Sequence, residues 1–198
     1  MPDSQKVARE DILETALALF TTQGYTSTSL RQIADRLGFT KAALYYHFPA
    51  KDLLLIELVR PWLDALAALV AMSGEEALAN PGAEAQAALM ENYVDLLITH
   101  HRVIWMFYRD ISSLKNPDVG ERARGLVNAL NDALCGPDAD DSERAKVACA
   151  LGAAHAIGQL DPEIVARARP DVLRAALAVL GLPSSRRSDS TAEESAPR

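Results

Sequence analysis

Few of the residues in this chain suit catalysis, metal binding or membrane insertion. It has only two cysteines in 198 residues, Cys135 and Cys149, and they lie in separate apolar helical patterns with no Cys-x-x-Cys pair. That spacing excludes a disulfide framework or a paired zinc motif and reads as buried free thiols in a reducing compartment. No apolar run reaches membrane-spanning length without a charge. The opening MPDSQKVARED lacks a basic stretch followed by an apolar one, so no secretory leader is expected and the location reads as cytoplasmic. There is no glycine-rich phosphate loop and no Gly-x-Ser-x-Gly. The only adjacent histidines are His100 and His101, and neighbours on a helix point about 100° apart, too far to share one ion. That pair reads as a solvated helix end. No metal, cofactor or enzymatic activity is expected. Strand-like alternation of apolar and polar residues is absent as well.

Apolar residues, at 49%, are sufficient for a buried core in one or two compact domains, and the 24% of charged residues suit an ordinary globular surface. The net charge of −7 is unevenly placed. Residues 1–60 hold seven basic and seven acidic residues; residues 61–198 hold 13 and 20. The acidity belongs to the C-terminal part, and a neutral N-terminal part can still present a basic face, since local placement governs attraction to phosphate.

The fold class is all-α. Ile12, Leu13, Ala16, Leu17 and Phe20 recur at three- and four-residue steps and stop at Gly24. Leu30, Ile33, Ala34 and Leu37 repeat the pattern up to Gly38, with Ser29 and Gln32 forming a capping box. Thr40 caps a short third helix that Pro49 closes. These three helices are predicted at about 15, 8 and 7 residues. A longer helix from Lys51 to about Met72 contains Pro61, which predicts a kink or break between Ile56 and Arg60. Further helices are predicted over 83–99, 101–111, 118–134, 142–159 and 171–181, with a short turn at 162–168 before Pro170. The expected division is 1–50, 51–183 and a disordered polar tail, 184–198.

Residues 24–54 read GYTSTSLRQIADRLGFTKAALYYHFPAKDLL: a short helix, a tight Gly-Phe-Thr turn and a second short helix with a polar, aromatic outer face. A helix-turn-helix is built this way, its second helix lying in the DNA major groove. Leu30, Ile33, Ala34, Leu37, Leu44 and Phe48 point inward, leaving Lys41, Ala42, Ala43, Tyr45, Tyr46 and His47 outside. The segment resembles the tetracycline-repressor (TetR) family in Gly24-Tyr25, Thr28-Ser29, Ile33-Ala34, Gly38-Phe39-Thr40-Lys41, Leu44-Tyr45, and Phe48 followed by Lys51 and Leu53. The resemblance covers roughly the first 55 residues and implies a DNA-binding set of Thr28, Arg31, Thr40, Lys41, Ala42, Ala43, Tyr45, Tyr46, His47 and Lys51. Within it, Thr28 would approach phosphate and Arg31 a groove edge. Lys41, Ala42, Ala43 and Tyr46 would face bases, and Tyr45, His47 and Lys51 would contact phosphates. Arg31 or Lys41 would suit guanine, and Ala42 or Ala43 a thymine methyl. Arg31 also has Asp35 at i+4 as an alternative partner. Position 42, often glycine in the family, is alanine here.

The remaining helices are expected to serve dimerisation and sensing. Ala145, Ala148, Cys149, Gly152, Ala153 and Ala156 form a stripe of small residues, to which Leu173, Ala176, Leu177 and Leu180 would add a second helix. Two such helices from each subunit would make a four-helix interface, as the resemblance also implies. A homodimer matches a palindromic operator in double-stranded DNA. The aromatic run around Trp105, Met106 and Tyr108, with Trp62, Leu66, Met90, Tyr93, Leu97 and His155, is the expected lining of a small-molecule effector cavity. Ligand in that cavity would pivot the helix beginning at Lys51 and release the operator, a repressor's response. The competing readings are a regulator controlled by a protein partner and an all-helical enzyme.

Overall fold

The computed structural model describes residues 2–73, 82–110 and 116–183, and of these all side chains but those of residues 2–7, 108 and 109. The described residues are helical with no strand. In chain order the helices are α1 (Pro2–Gln23), α2 (Leu30–Leu37), α3 (Lys41–His47), α4 (Lys51–Met72), α5 (Ala83–Thr99), α6 (His101–Arg109), α7 (Pro117–Cys135), α8 (Asp141–His155) and α9 (Val165–Leu180). A 3-10 turn, Ala156–Gln159, follows α8. The tail 184–198 and the side chain of Tyr108 lie outside the described residues.

Local chemistry sets the ends of the short helices. Both arms of the Ser29–Gln32 capping box are made, so two donors that α2 would leave bare are satisfied. Gly38, at φ 67°, ends α2 in the left-handed conformation that glycine adopts without strain. Thr40 Oγ1 accepts from Ala43 N at 3.1 Å to start α3. A second capping box, Asp140 with Glu143, starts α8.

Neither interior proline breaks its helix, which removes the break expected near Pro61 and the turn expected before Pro170. α4 runs unbroken through Pro61, and α9 runs through Pro170 as one helix rather than a turn followed by a helix. Each proline is exposed, so the carbonyl one turn back that loses its donor can turn to water. Packing on both sides then holds the axis: Leu54, Leu55 and Val59 before Pro61, and Trp62, Leu63 and Leu66 after it, are all buried.

The buried residues form one cluster from Ile12 to Leu177. α4 is its spine, packed on α1, α5, α6 and α7, while α8 and α9 pair with each other and α9 lies on α5. Arg169 of α9 fastens that last contact, donating to Asp95 at 2.5 and 2.7 Å and to Glu91 at 3.0 Å. Three further expectations are corrected. His101 is buried at 5% exposure, with its Nε2 at 3.1 Å from the Leu160 carbonyl, so it is an internal tie and not a solvated end. Cys149 is exposed, because it stands opposite the buried Val147–Ala150–Leu151 face of α8, and Cys135 is half-buried. On α9, Leu173, Ala176 and Leu177 are buried within the subunit; Ala175 and Val179 face outward with half-buried Val172.

Candidate nucleic-acid interface and cavity

α3 is anchored by one buried face. Leu44 is 0% and Phe48 1% exposed, and with Ile33 and Ala34 of α2 they join the core and fix the short helix against its neighbour. The opposite face then has to project. Lys41, Ala42, Ala43, Tyr45 and Tyr46 are exposed, Tyr46 at 75%, and His47 is half-buried. The Lys41 ammonium lies 5.3 Å from the centre of the Tyr45 ring, and the His47 ring meets Tyr46 edge-on at 5.4 Å. A cation beside one aromatic ring on so exposed a helix has little internal bonding to give up. Arg31, 82% exposed at the start of α2, pairs among the described residues with Asp35, at 3.7 Å across one turn, a contact of little stabilising value. It remains able to reach a partner.

Two residues of the expected DNA-binding set are placed differently. Thr28 is 2% exposed, and its hydroxyl donates to the Gly24 carbonyl at 2.8 Å. Lys51 turns inward. Its ammonium donates to the Tyr25 carbonyl at 2.8 Å and the Thr28 carbonyl at 3.0 Å, stands 3.5 Å from that of Thr26, and lies 4.3 Å above the Tyr25 ring. An ammonium has three N–H donors, and these carbonyls account for them. Burial pushes the Lys51 amine below its ordinary value, against the opposing pull of Asp52 and Asp110. The Tyr25 hydroxyl donates to Asp52, and burial and that carboxylate hold the phenol well above its usual range. From the far side Asp110, the residue that ends α6, accepts from Thr26 N at 2.9 Å. The α1–α2 turn is therefore clamped between the first turn of α4 and the end of α6.

A cavity of about 520 Å³ opens among the remaining helices, within the size range of small-molecule sites. Trp62 of α4, Leu97 of α5, and Ile104 and Phe107 of α6 form its apolar walls. α7 contributes Gly120, Ala123, Arg124, Val127 and Asn128, spaced so that all share one helical face, and α8 contributes His155. Burial holds His155 below the ordinary imidazole value, and its Nε2 is hydrogen-bonded to Tyr93 Oη. The Trp62 Nε1–H is buried with no acceptor among the described residues. No group of three or more His, Cys, Asp or Glu among the described residues is placed to hold a metal ion.

Residues 12–58 match the family model described as bacterial regulatory proteins, tetR family. The chain is 34% identical over 102 residues to the HTH-type transcriptional repressor KstR2 of Mycobacterium tuberculosis, covering 52% of this chain and 50% of that one. It is 41% identical over 85 residues to the HTH-type transcriptional regulator LmrA of Bacillus subtilis, covering 42% and 45%. The chain thus matches about half the length of these curated relatives. Among solved structures, AmtR of Mycobacterium smegmatis superposes with a TM-score of 0.67 at 28% identity, over 90% of this chain and 88% of that one. The TetR family transcriptional regulator PfmR of Thermus thermophilus gives 0.64 at 26% identity, over 88% and 99%. Residues 12–58 are thus similar to the DNA-binding part of the TetR family, and the chain as a whole superposes on solved regulators of that family.

In this chain the expected cavity residues divide. Trp62, Leu97 and His155 line the cavity, and Tyr93 bonds to His155 from behind it. Leu66, Met90 and Met106, each 0% exposed, are core. Trp105 is half-buried and packs at 5.8 Å on the His101 ring instead. The α7 face was missed altogether. Its signal was present in Gly120 and Ala123, small residues that leave room on one helical face, with Arg124 and Asn128 one turn apart.

Proposed function

We propose that this chain is a sequence-specific DNA-binding transcriptional regulator, a homodimeric repressor that leaves a palindromic operator when a small, largely apolar effector enters the cavity. The exposed face of α3 carries the reading. Lys41, Ala42, Ala43, Tyr45 and Tyr46 stand on a rigid, capped helix short enough to enter a major groove, while its other face is locked by Leu44 and Phe48. The names of KstR2 and LmrA, a repressor and a regulator of the HTH type, agree with it. In this reading residues 1–50 are the reader and residues 51–183 the sensing and dimerisation part. Lys41, Ala42, Ala43 and Tyr46 face bases; Arg31, Thr40, Tyr45 and His47 serve the groove edge and backbone; Thr28 and Lys51 shape the turn behind them. Support for the dimer comes from α8 and α9. Ala145, Ala148, Cys149 and Gly152 are exposed in one stripe beside Ala175 and Val179, an apolar face open to a second copy.

The test is selection of genomic DNA fragments with purified protein, repeated with Lys41→Met and Tyr46→Ala combined. A palindromic motif is expected from the wild type and its loss from the variant. No enriched motif from folded, dimeric wild-type protein refutes the reading.

A further inference from the structure

We propose that the cavity between α4, α5, α6 and α7 takes an amphipathic organic acid, an apolar body bearing one carboxylate that the Arg124 guanidinium holds. The inference rests on the reading of this cavity as the effector site and adds the chemistry of its occupant. Three observations carry it. The walls at Trp62, Leu97, Ile104, Phe107 and Val127 offer hydrocarbon and aromatic surface with almost no competing polarity, which fits a body of carbon and hydrogen. Arg124 lines the cavity yet forms no ion pair among the described residues, although Arg122, two residues away, is bound to Asp64 at 2.6 Å and Arg144 approaches Asp132 at 3.6 Å. None of the residues lining the cavity is an acid, so the charge of Arg124 is answered by nothing in the site. The third is the Trp62 indole, 8% exposed, a wall residue whose buried N–H has no acceptor among the described residues. Buried donors are ordinarily satisfied, so this wall carries hydrogen-bonding capacity that the described residues leave unused.

The polar groups of the cavity lining are therefore a guanidinium and, one turn along, the Asn128 amide, which can donate as well as accept. His155 is already engaged by Tyr93 and kept neutral by burial, which leaves Arg124 as the cation of the lining. A cationic ligand would meet Arg124 with like charge, and a plain hydrocarbon would leave the guanidinium unanswered. A carboxylate answers the guanidinium with two parallel hydrogen bonds. Arg124 and Asn128, exposed at i and i+4, place that headgroup at the rim, where it keeps part of its hydration while the body goes inside.

The experiment is calorimetric titration of the full chain without DNA, using decanoate, 1-decanol and decylamine below their micelle-forming concentrations. Decanoate is expected to bind at least about tenfold more tightly than 1-decanol, the effect of one charge-assisted pair, with decylamine the weakest. Arg124→Gln is expected to bring decanoate down to the affinity of 1-decanol at an unchanged thermal midpoint. Arg122→Gln, off the cavity, is expected to keep the preference. Equal binding of acid and alcohol, an undiminished preference in Arg124→Gln, or no binding of any probe overturns the proposal. Because the titration contains no DNA, its outcome is separate from the regulatory reading. Decanoate that binds through Arg124 yet leaves the operator complex intact sinks the coupling to DNA and leaves the ligand class standing.

Discussion

Changing Lys51 to methionine separates two roles that give opposite results. Methionine keeps an unbranched apolar stem against the Tyr25 ring and removes the ammonium, so the Tyr25 and Thr28 carbonyls, at 2.8 and 3.0 Å, lose their donor. Each charge-assisted hydrogen bond is worth about 1.5–3 kcal/mol. Water reaches part of this turn and recovers some of that, and losing a half-buried charge removes a desolvation cost, so the net destabilisation is about 1–3 kcal/mol. For a chain of this size each kcal/mol moves the midpoint by about 2–4 °C, so Tm is expected to fall by roughly 3–10 °C. The assay is thermal unfolding by circular dichroism at fixed protein concentration, paired with DNA affinity measured across salt. A lysine whose task is phosphate contact behaves the other way: Tm holds, and the slope of log K against log salt drops by about one. An unchanged midpoint with that loss of slope would refute the inward role of Lys51.

Two further perturbations test other parts of the molecule. Burial lowers His100, His101 and His155, so between their folded values and about 6.5 the unfolded chain binds more protons. Their contribution to stability is full above that pH and falls as pH drops below it; the midpoint at pH 5.5 should lie under that at 7.5, and His155→Gln should shrink the gap. An undiminished gap removes His155 from the account. Ala148→Arg places a long charged side chain on the exposed stripe of α8 and is expected to give a monomer by sedimentation, with operator affinity reduced; an unaltered dimer mass puts the interface elsewhere.

The helix-turn-helix was legible in the sequence because its determinants are local. Ser29 meets Gln32 three residues on, Gly38 ends α2, and Leu30, Ile33, Leu44 and Phe48 follow the helical period into the core. The role of Lys51 was not legible, since its partners lie 23 to 26 residues earlier and only the packing of α1 on α4 brings them within reach. The prolines misled for a related reason. A proline's local cost is fixed, but whether the helix survives it depends on which face it occupies and what grips the turns around it. Nothing in the sequence singles out Arg124, because a residue's own neighbours cannot reveal that four other helices leave a hollow beside it.

The clamp at the α1–α2 turn limits how this protein can be rebuilt. Gly24 holds φ 91°, and a side chain there would come within 3.2 Å of the Asp110 carboxylate, the group that also accepts from Thr26 N. Two positions 86 apart in the chain are therefore one structural choice. A chimera that grafts residues 1–50 onto another body carries away the exposed face of α3 but leaves behind Lys51, Asp52 and Asp110, three side chains that hold the turn behind it. The structural unit is discontinuous: the helix-turn-helix, the first turn of α4, and a single aspartate borrowed from the end of α6.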